Sequence, residues 1–170
     1  MQQSLLVFQL DCHHSKQENW KKLYEEVADF KKAAKNKHIK AILGVGDLET
    51  LRNVAKASMV CMMAGADFIK TSTGKESVNA NLNNSLVMLR MIRHFYQITG
   101  KKIGFKPAGG ISTAKTVIEF LILVMEELGH DWINPKYLRI GASSLLIDIE
   151  RQLYHFALGR YANKEKLAIG

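Results

Sequence analysis

Two lysines in this chain stand where a lysine is expensive. Lys70 lies within the run Asp67-Phe-Ile-Lys-Thr-Ser-Thr73, and Lys106 within Ile103-Gly-Phe-Lys-Pro107. Both runs are short, apolar and bounded by glycines, the pattern of a buried strand. A buried ammonium group is costly unless it is ion-paired or its pKa falls. Each lysine is therefore either paired with a carboxylate or kept as a neutral amine. After Lys70 come Thr71, Ser72, Thr73, Gly74 and Lys75; after Lys106 come Gly109 and Gly110. A third run, Tyr137-Leu-Arg-Ile-Gly-Ala-Ser-Ser144, ends in Gly141, Ser143 and Ser144. Hydroxyls, a cation and close-approaching backbone amides suit an anionic ligand at the carboxyl end of a strand.

The elements that must position these groups repeat. Residues Asn19 to Lys37 carry Trp20, Leu23, Val27 and Phe30 at helical spacing. A strand from Ile39 to Val45 contains Lys40 and ends at Gly46. A helix from Leu48 to Ala64 follows, whose methionines read as core filler. After the Lys70 strand, Asn79 to Thr99 is helical and Gly100 ends it. Ser112 or Thr113 caps a helix running to Leu128, Trp132 to Lys136 is a loop, and Leu138 to Ala142 is a strand. Ser144 to Leu158 is the last helix. The strand landmarks Lys40, Lys70, Lys106 and Arg139 are 30, 36 and 33 residues apart. That is one crossover unit per interval, with no hairpin, and hence a parallel α/β sheet. Two architectures fit: a doubly wound open sheet, or part of a (β/α)8 barrel. In either, ligands bind at the carboxyl ends of the strands.

The amino-terminal residues are harder to place. Leu5 to Leu10 suits a strand, while Asp11, Cys12, His13 and His14 read as a polar loop rather than a metal site, since adjacent residues in one loop rarely close a coordination shell alone. The net charge is +8, which favours phosphorylated ligands. The basic cluster Lys31, Lys32, Lys35, Lys37 and Lys40 lacks interleaved aromatic residues, so it reads as a solvated helix face and not a nucleic-acid footprint. Two cysteines make no disulfide framework and point to a reducing compartment. No signal peptide or membrane span is visible, and the expected location is the cytoplasm.

The three motifs GADFIKTSTGK, GFKPAGG and RIGASSLL, in this order and spacing, resemble the 2-deoxyribose-5-phosphate aldolase family from about Asn19 to Tyr161. The resemblance implies a class I aldolase on a (β/α)8 barrel, needing no metal or cofactor. That family reversibly cleaves 2-deoxyribose 5-phosphate to acetaldehyde and glyceraldehyde 3-phosphate. By motif, Lys70 resembles the Schiff-base lysine, Lys106 the second lysine that depresses its pKa, and Lys40 a third lysine tied to proton transfer. The substrate phosphate would be held by Gly74, Lys75, Gly109, Gly110, Gly141, Ser143 and Ser144.

A whole barrel takes about 250 residues. The expectation is thus one partial barrel domain over residues 1–170, of about four or five βα units, with an atypical segment at 1–17 and a polar tail at 161–170. The family's preceding strand carries an aspartate in a Glu-hydrophobic-Asp setting that Asp11 lacks. Ser112 stands where relatives often have arginine, and Asp47 where they usually have glutamate. The tail ends Leu-Ala-Ile-Gly, without the tyrosine of bacterial members. Incomplete barrels leave sheet edges open, so self-association or pairing with another chain is expected. The competing reading is a phosphate-binding or assembly module without turnover of its own.

Overall fold

The computed structural model describes residues 5–10, 19–163 and 167. Strands β1 (Leu5–Gln9), β2 (His38–Ile42), β3 (Phe68–Lys70) and β4 (Gly104–Lys106) alternate with helices α1 (Trp20–Ala34), α2 (Leu51–Met63), α3 (Leu82–Thr99), α4 (Ala114–Leu128) and α5 (Leu145–Leu158). All strand pairs are parallel, in the order β1-β2-β3-β4. A doubly wound sheet reverses its order at a switch point. An unreversed order with right-handed crossovers keeps every helix on one face, the winding of a (β/α)8 barrel. The fold is an incomplete barrel of that type. Asp11, Cys12, His13 and His14 lie outside the described residues.

The helix limits follow from their caps. Asn19, Thr50, Asn81 and Thr113 each accept a hydrogen bond from the backbone N–H three residues on, which satisfies a donor left free in the first turn. Thr113, not Ser112, is thus the cap of α4. Helix α3 starts later than the periodicity predicts because Asn79 and Ala80 are drawn into the preceding loop: the Asn79 amide donates to Glu76 O at 2.7 Å and Ala80 N to Ala108 O at 3.2 Å.

The predicted strand Leu138 to Ala142 is present only as two parallel bridges, Phe105 with Leu138 and Ala108 with Gly141. Phe105 N donates to Tyr137 O, Arg139 N to Phe105 O and Gly141 N to Pro107 O. The missing rung is the one Pro107 would donate, and proline has no N–H. Of the loop expected from Trp132 to Lys136, residues 133–136 are bend and turn, while Trp132 ends a 3-10 turn, His130–Trp132, and its buried indole donates to Ile103 O at 2.9 Å. No described helix is long and apolar enough to cross a membrane.

One sheet face carries the core. Ile39, Ala41, Leu43, Ile69 and Phe105 meet Leu23, Val27, Met62, Met88, Leu89, Ile92 and Val124 from the helices, all buried. The strands are tied at their amino ends by Asp67. Its Oδ2 accepts from Lys31 Nζ at 2.6 Å and from Ile39 N at 3.0 Å, and Lys101 lies 3.5 Å from Oδ1. Burial opposes ionisation of this carboxyl, but the hydrogen bonds from Lys31 and Ile39 and the charges of Lys101 and Lys31 outweigh it and hold its pKa below the ordinary 3.8.

A depressed carboxyl stabilises the fold above its ordinary pKa, and that contribution is lost as pH falls through the lower folded value. Asp67→Asn is therefore expected to cost about 2 kcal/mol at pH 7, the worth of a hydrogen bond to a charged group. Urea unfolding of both proteins should show the gap closing below about pH 4, as parent and variant both become neutral at this position.

Candidate active site

The register sorts the inner face of the sheet into two rows. Val7, Lys40, Phe68 and Gly104 pair across the strands in one; Gln9, Ile42, Lys70 and Lys106 pair in the next, nearer the carboxyl ends. Side chains in register on parallel strands project to the same side. Lys70 and Lys106 are thus direct cross-strand neighbours, and Lys40 lies one row below.

Space for this face is made by absent side chains. A Cβ on Gly104 would fall 2.3 Å from the Phe68 ring, and one on Gly141 would fall 2.5 Å from Ala108 Cβ and 3.0 Å from Lys106 Cε. Gly104 lets Phe68 lie across the sheet, and Gly141 lets the Lys106 stem pass. Above the lysines a cleft of about 570 Å³ opens at the carboxyl ends. Its walls include Lys70, Lys106, Gly74, Lys75, Gly109, Gly110, Gly141, Ser143 and Ser144, nine of the ten residues singled out from sequence. The tenth, Lys40, lies beneath it, only 4% exposed.

No carboxylate among the described residues lies within ion-pair distance of the three lysines, which favours the neutral-amine alternative. Burial and then the Lys106 charge push the Lys70 amine below its usual pKa, while Glu76 pulls it partly back. Lys40 is brought down to about 8 by burial, by the charges of Lys106, Lys70 and Arg139, and by its contact with the Lys106 amine. Crowded like charges favour a neutral amine, and a neutral amine is a nucleophile for carbonyl carbon.

The hydroxyls after Lys70 divide in their roles. Thr71 and Ser72 are fully buried and are not open to a ligand. Thr71 Oγ1 donates to Ala108 O at 3.1 Å and accepts from Ala108 N at 3.0 Å; Ser72 Oγ donates to the same carbonyl at 2.8 Å. They clamp the turn after β3 to the turn after β4. Thr73 faces the cleft and is held by Glu76, whose Oε1 accepts from Thr73 N at 2.9 Å and lies 3.0 Å from its hydroxyl. Gly109, at φ +90°, completes this junction: a Cβ there would strike the Asn79 side chain at 2.5 Å.

Sequence reasoning passed over Glu76, Asn79 and Arg139. Thr73-Gly-Lys-Glu76 has the spacing of a capping box, so Glu76 had a signal. Arg139 acts on Lys40 across the sheet, and nothing in a linear sequence reports that distance.

Residues 6–148 match the model of the DeoC/LacD family aldolases. The chain belongs to the DeoC/LacD aldolase family. The match reaches into β1, well ahead of the start at Asn19 that the motifs suggest. Among curated members of the family, the deoxyribose-phosphate aldolases of Mus musculus and Homo sapiens are 61% and 60% identical over 143 residues, covering 84% of this chain and 45% of theirs. The chain spans about half the length of these relatives. An apo-form structure from Toxoplasma gondii ME49, provisionally named a deoxyribose-phosphate aldolase, superposes with a TM-score of 0.77 at 24% identity, over 89% of this chain and 60% of that one. The tetrameric deoxyribose phosphate aldolase of Aeropyrum pernix gives 0.51 at 24%, over 83% and 51%. At such identity these two likenesses speak for the fold.

Lys106→Leu should raise the pKa of both Lys70 and Lys40, since it removes a like charge acting on each. The rise at Lys70 is expected because one of the two causes that lower it, the neighbouring like charge, is gone while burial stays. Titration of the lysine Cε resonances measures both shifts, and unchanged midpoints would mean that the Lys106 charge does not set them.

Proposed function

We propose that this chain carries the lysine centre of a class I aldolase acting on a small phosphorylated sugar, 2-deoxyribose 5-phosphate, in the cytoplasm. What supports this reading above all is Lys70: an amine with no carboxylate at ion-pair distance among the described residues, depressed by burial and by Lys106, at the floor of a cleft rimmed by glycine and hydroxyl groups. The names of the curated relatives agree with it.

The chemistry runs as follows. Neutral Lys70 Nζ adds to the carbonyl carbon of the open-chain sugar, and loss of water leaves an iminium. A base takes the proton of the C3 hydroxyl, the C2–C3 bond breaks with its electron pair flowing towards the iminium carbon C1, and glyceraldehyde 3-phosphate leaves with an enamine remaining on Lys70. Protonation of the enamine carbon and hydrolysis then free acetaldehyde and the amine. Lys106 keeps Lys70 neutral, and Lys40 is placed to exchange a proton through Lys106. Gly74, Lys75, Gly109, Gly110, Gly141, Ser143 and Ser144 hold the phosphate. Lys75 provides the cation and Ser112 takes the place of a second one.

Trapping with acetaldehyde and borohydride, read by mass spectrometry, tests the assignment. An adduct on Lys70 is expected, and none on Lys70→Arg, because arginine offers no neutral amine near pH 7. Folded Lys70→Arg that keeps more than about a tenth of the parent's turnover removes Lys70 from the role.

A second reading, that the chain works by assembly, is favoured by its open surfaces. Val7 on the edge strand is 51% exposed, and Phe156 and Leu153 on α5 are 90% and 63% exposed. Relatives twice as long have further chain with which to cover such faces. We expect the 170 residues alone to turn over at least about a hundredfold slower than a full-length relative, the worth of one positioned acid or base. Adding the amino-terminal half of such a relative as a separate chain should restore activity in a coupled aldehyde assay and shift sedimentation to a complex. Full activity from a stable monomer overturns this reading.

A further inference from the structure

At the other end of the sheet, beneath the amino ends of β2, β3 and β4, lies a second cavity of about 190 Å³. Its charged lining is Asp67, Lys101, Lys102, Lys136 and Arg139, with the His38 ring beside them. The amino-terminal face of a barrel ordinarily serves stability, and part of this cluster does. Asp67 is saturated: Lys31 and Ile39 N hold one oxygen, and Lys101 at 3.5 Å and His38 Nδ1 at 3.8 Å face the other. Lys102 is paired with Asp131 at 2.7 Å.

Lys136 and Arg139 are not explained in this way. Neither has a carboxylate within ion-pair distance among the described residues. Both nevertheless lie over aromatic rings at the cavity wall, Lys136 Nζ 5.2 Å from the Tyr137 centroid and the Arg139 guanidinium 5.1 Å from that of Phe68. Lys102 is fixed more firmly, with its Nζ 4.8, 5.6 and 5.9 Å from the rings of Trp132, Tyr137 and Tyr96. Cation–π contacts and a tethering carboxylate hold long side chains in place and remove part of the entropy that a ligand would otherwise have to supply. The hydrogen bond from Lys102 to Asp131 also raises the lysine pKa, so this cation stays charged. With Lys31 and Asp131 counted, five cations face two carboxylates here.

We propose that this cavity binds the phosphate group of a small phosphorylated molecule, with Arg139 and Lys136 as its direct ligands and Lys102 as a fixed third cation. The guanidinium fork matches two phosphate oxygens, and the lysines add point charge. The proposal does not rest on the chemistry assigned to the lysine cleft.

Amide NMR titration of the 170-residue chain tests the site, with inorganic phosphate and glycerol phosphate as probes at constant ionic strength. Saturable shifts are expected at the amides of Lys101, Lys102, Lys136, Tyr137 and Arg139. Lys136→Glu should weaken them at least tenfold while leaving phosphate-induced shifts at Gly74, Gly109 and Gly110 intact. Tighter binding of inorganic phosphate names the free anion as the ligand; tighter binding of glycerol phosphate names an ester; both support the site. Shifts confined to the glycine turns, or lower-cavity shifts that Lys136→Glu leaves unchanged, overturn it. Should Lys136→Glu fail to fold, Lys136→Met replaces it, with at least a threefold loss expected and no loss overturning the proposal.

Discussion

Lys70 and Lys106 occupy one register position on neighbouring parallel strands, and most of the site follows from that pairing. A parallel ladder forces their stems to the same side, so neither can turn away from the other without leaving the sheet. Two ammonium groups in one partly buried row repel, and a lowered proton affinity relieves the repulsion. The fold must then hold the row together against this cost. It does so with the apolar opposite face, where Ile69 and Phe105 sit fully buried beneath the helices, and with Thr71, which ties the ends of the two strands through both backbone groups of Ala108.

Much of this was legible in the sequence. Short apolar runs ending in glycine gave the strands, and their spacing of 30 or more residues gave parallel crossovers. Lysines inside such runs stand out because burial of an ammonium group is costly. What the residues alone left open, barrel or doubly wound sheet, is a matter of strand order, which no local pattern encodes. Thr71 and Ser72 were read as ligand groups because a hydroxyl beside a glycine turn looks the same whether it faces solvent or a neighbouring carbonyl. The strand at Leu138 was predicted regular, and its interruption comes from Pro107, a residue on a different strand. The lysine partners of Asp67 lie 36 residues before it and 34 after it, beyond the reach of any periodicity.

Charge is arranged unevenly along the sheet. At the carboxyl ends the described lysines have no carboxylate at ion-pair distance, and Glu76 acts on Lys70 only from farther off; the amino ends carry cations in excess around one saturated aspartate. Arg139 belongs to both: it lies in the lower cavity wall and contributes to the depression of Lys40. The field of each end therefore reaches the other through the sheet, and screening by salt is weaker there than at an exposed surface.

The passage of the Lys106 stem beside Gly141 has a consequence for rate. A free lysine side chain samples many rotamers, and about 2 kcal/mol of entropy is lost when it is fixed. Here Cε lies 3.0 Å from where a Cβ on Gly141 would stand, so the neighbouring strand closes off part of the space open to the stem before any substrate arrives. Folding, rather than the encounter with substrate, bears that ordering cost. The ammonium charge is placed in advance, less reorganisation remains for the moment of reaction, and the field it exerts on Lys70 is a standing property of the resting chain.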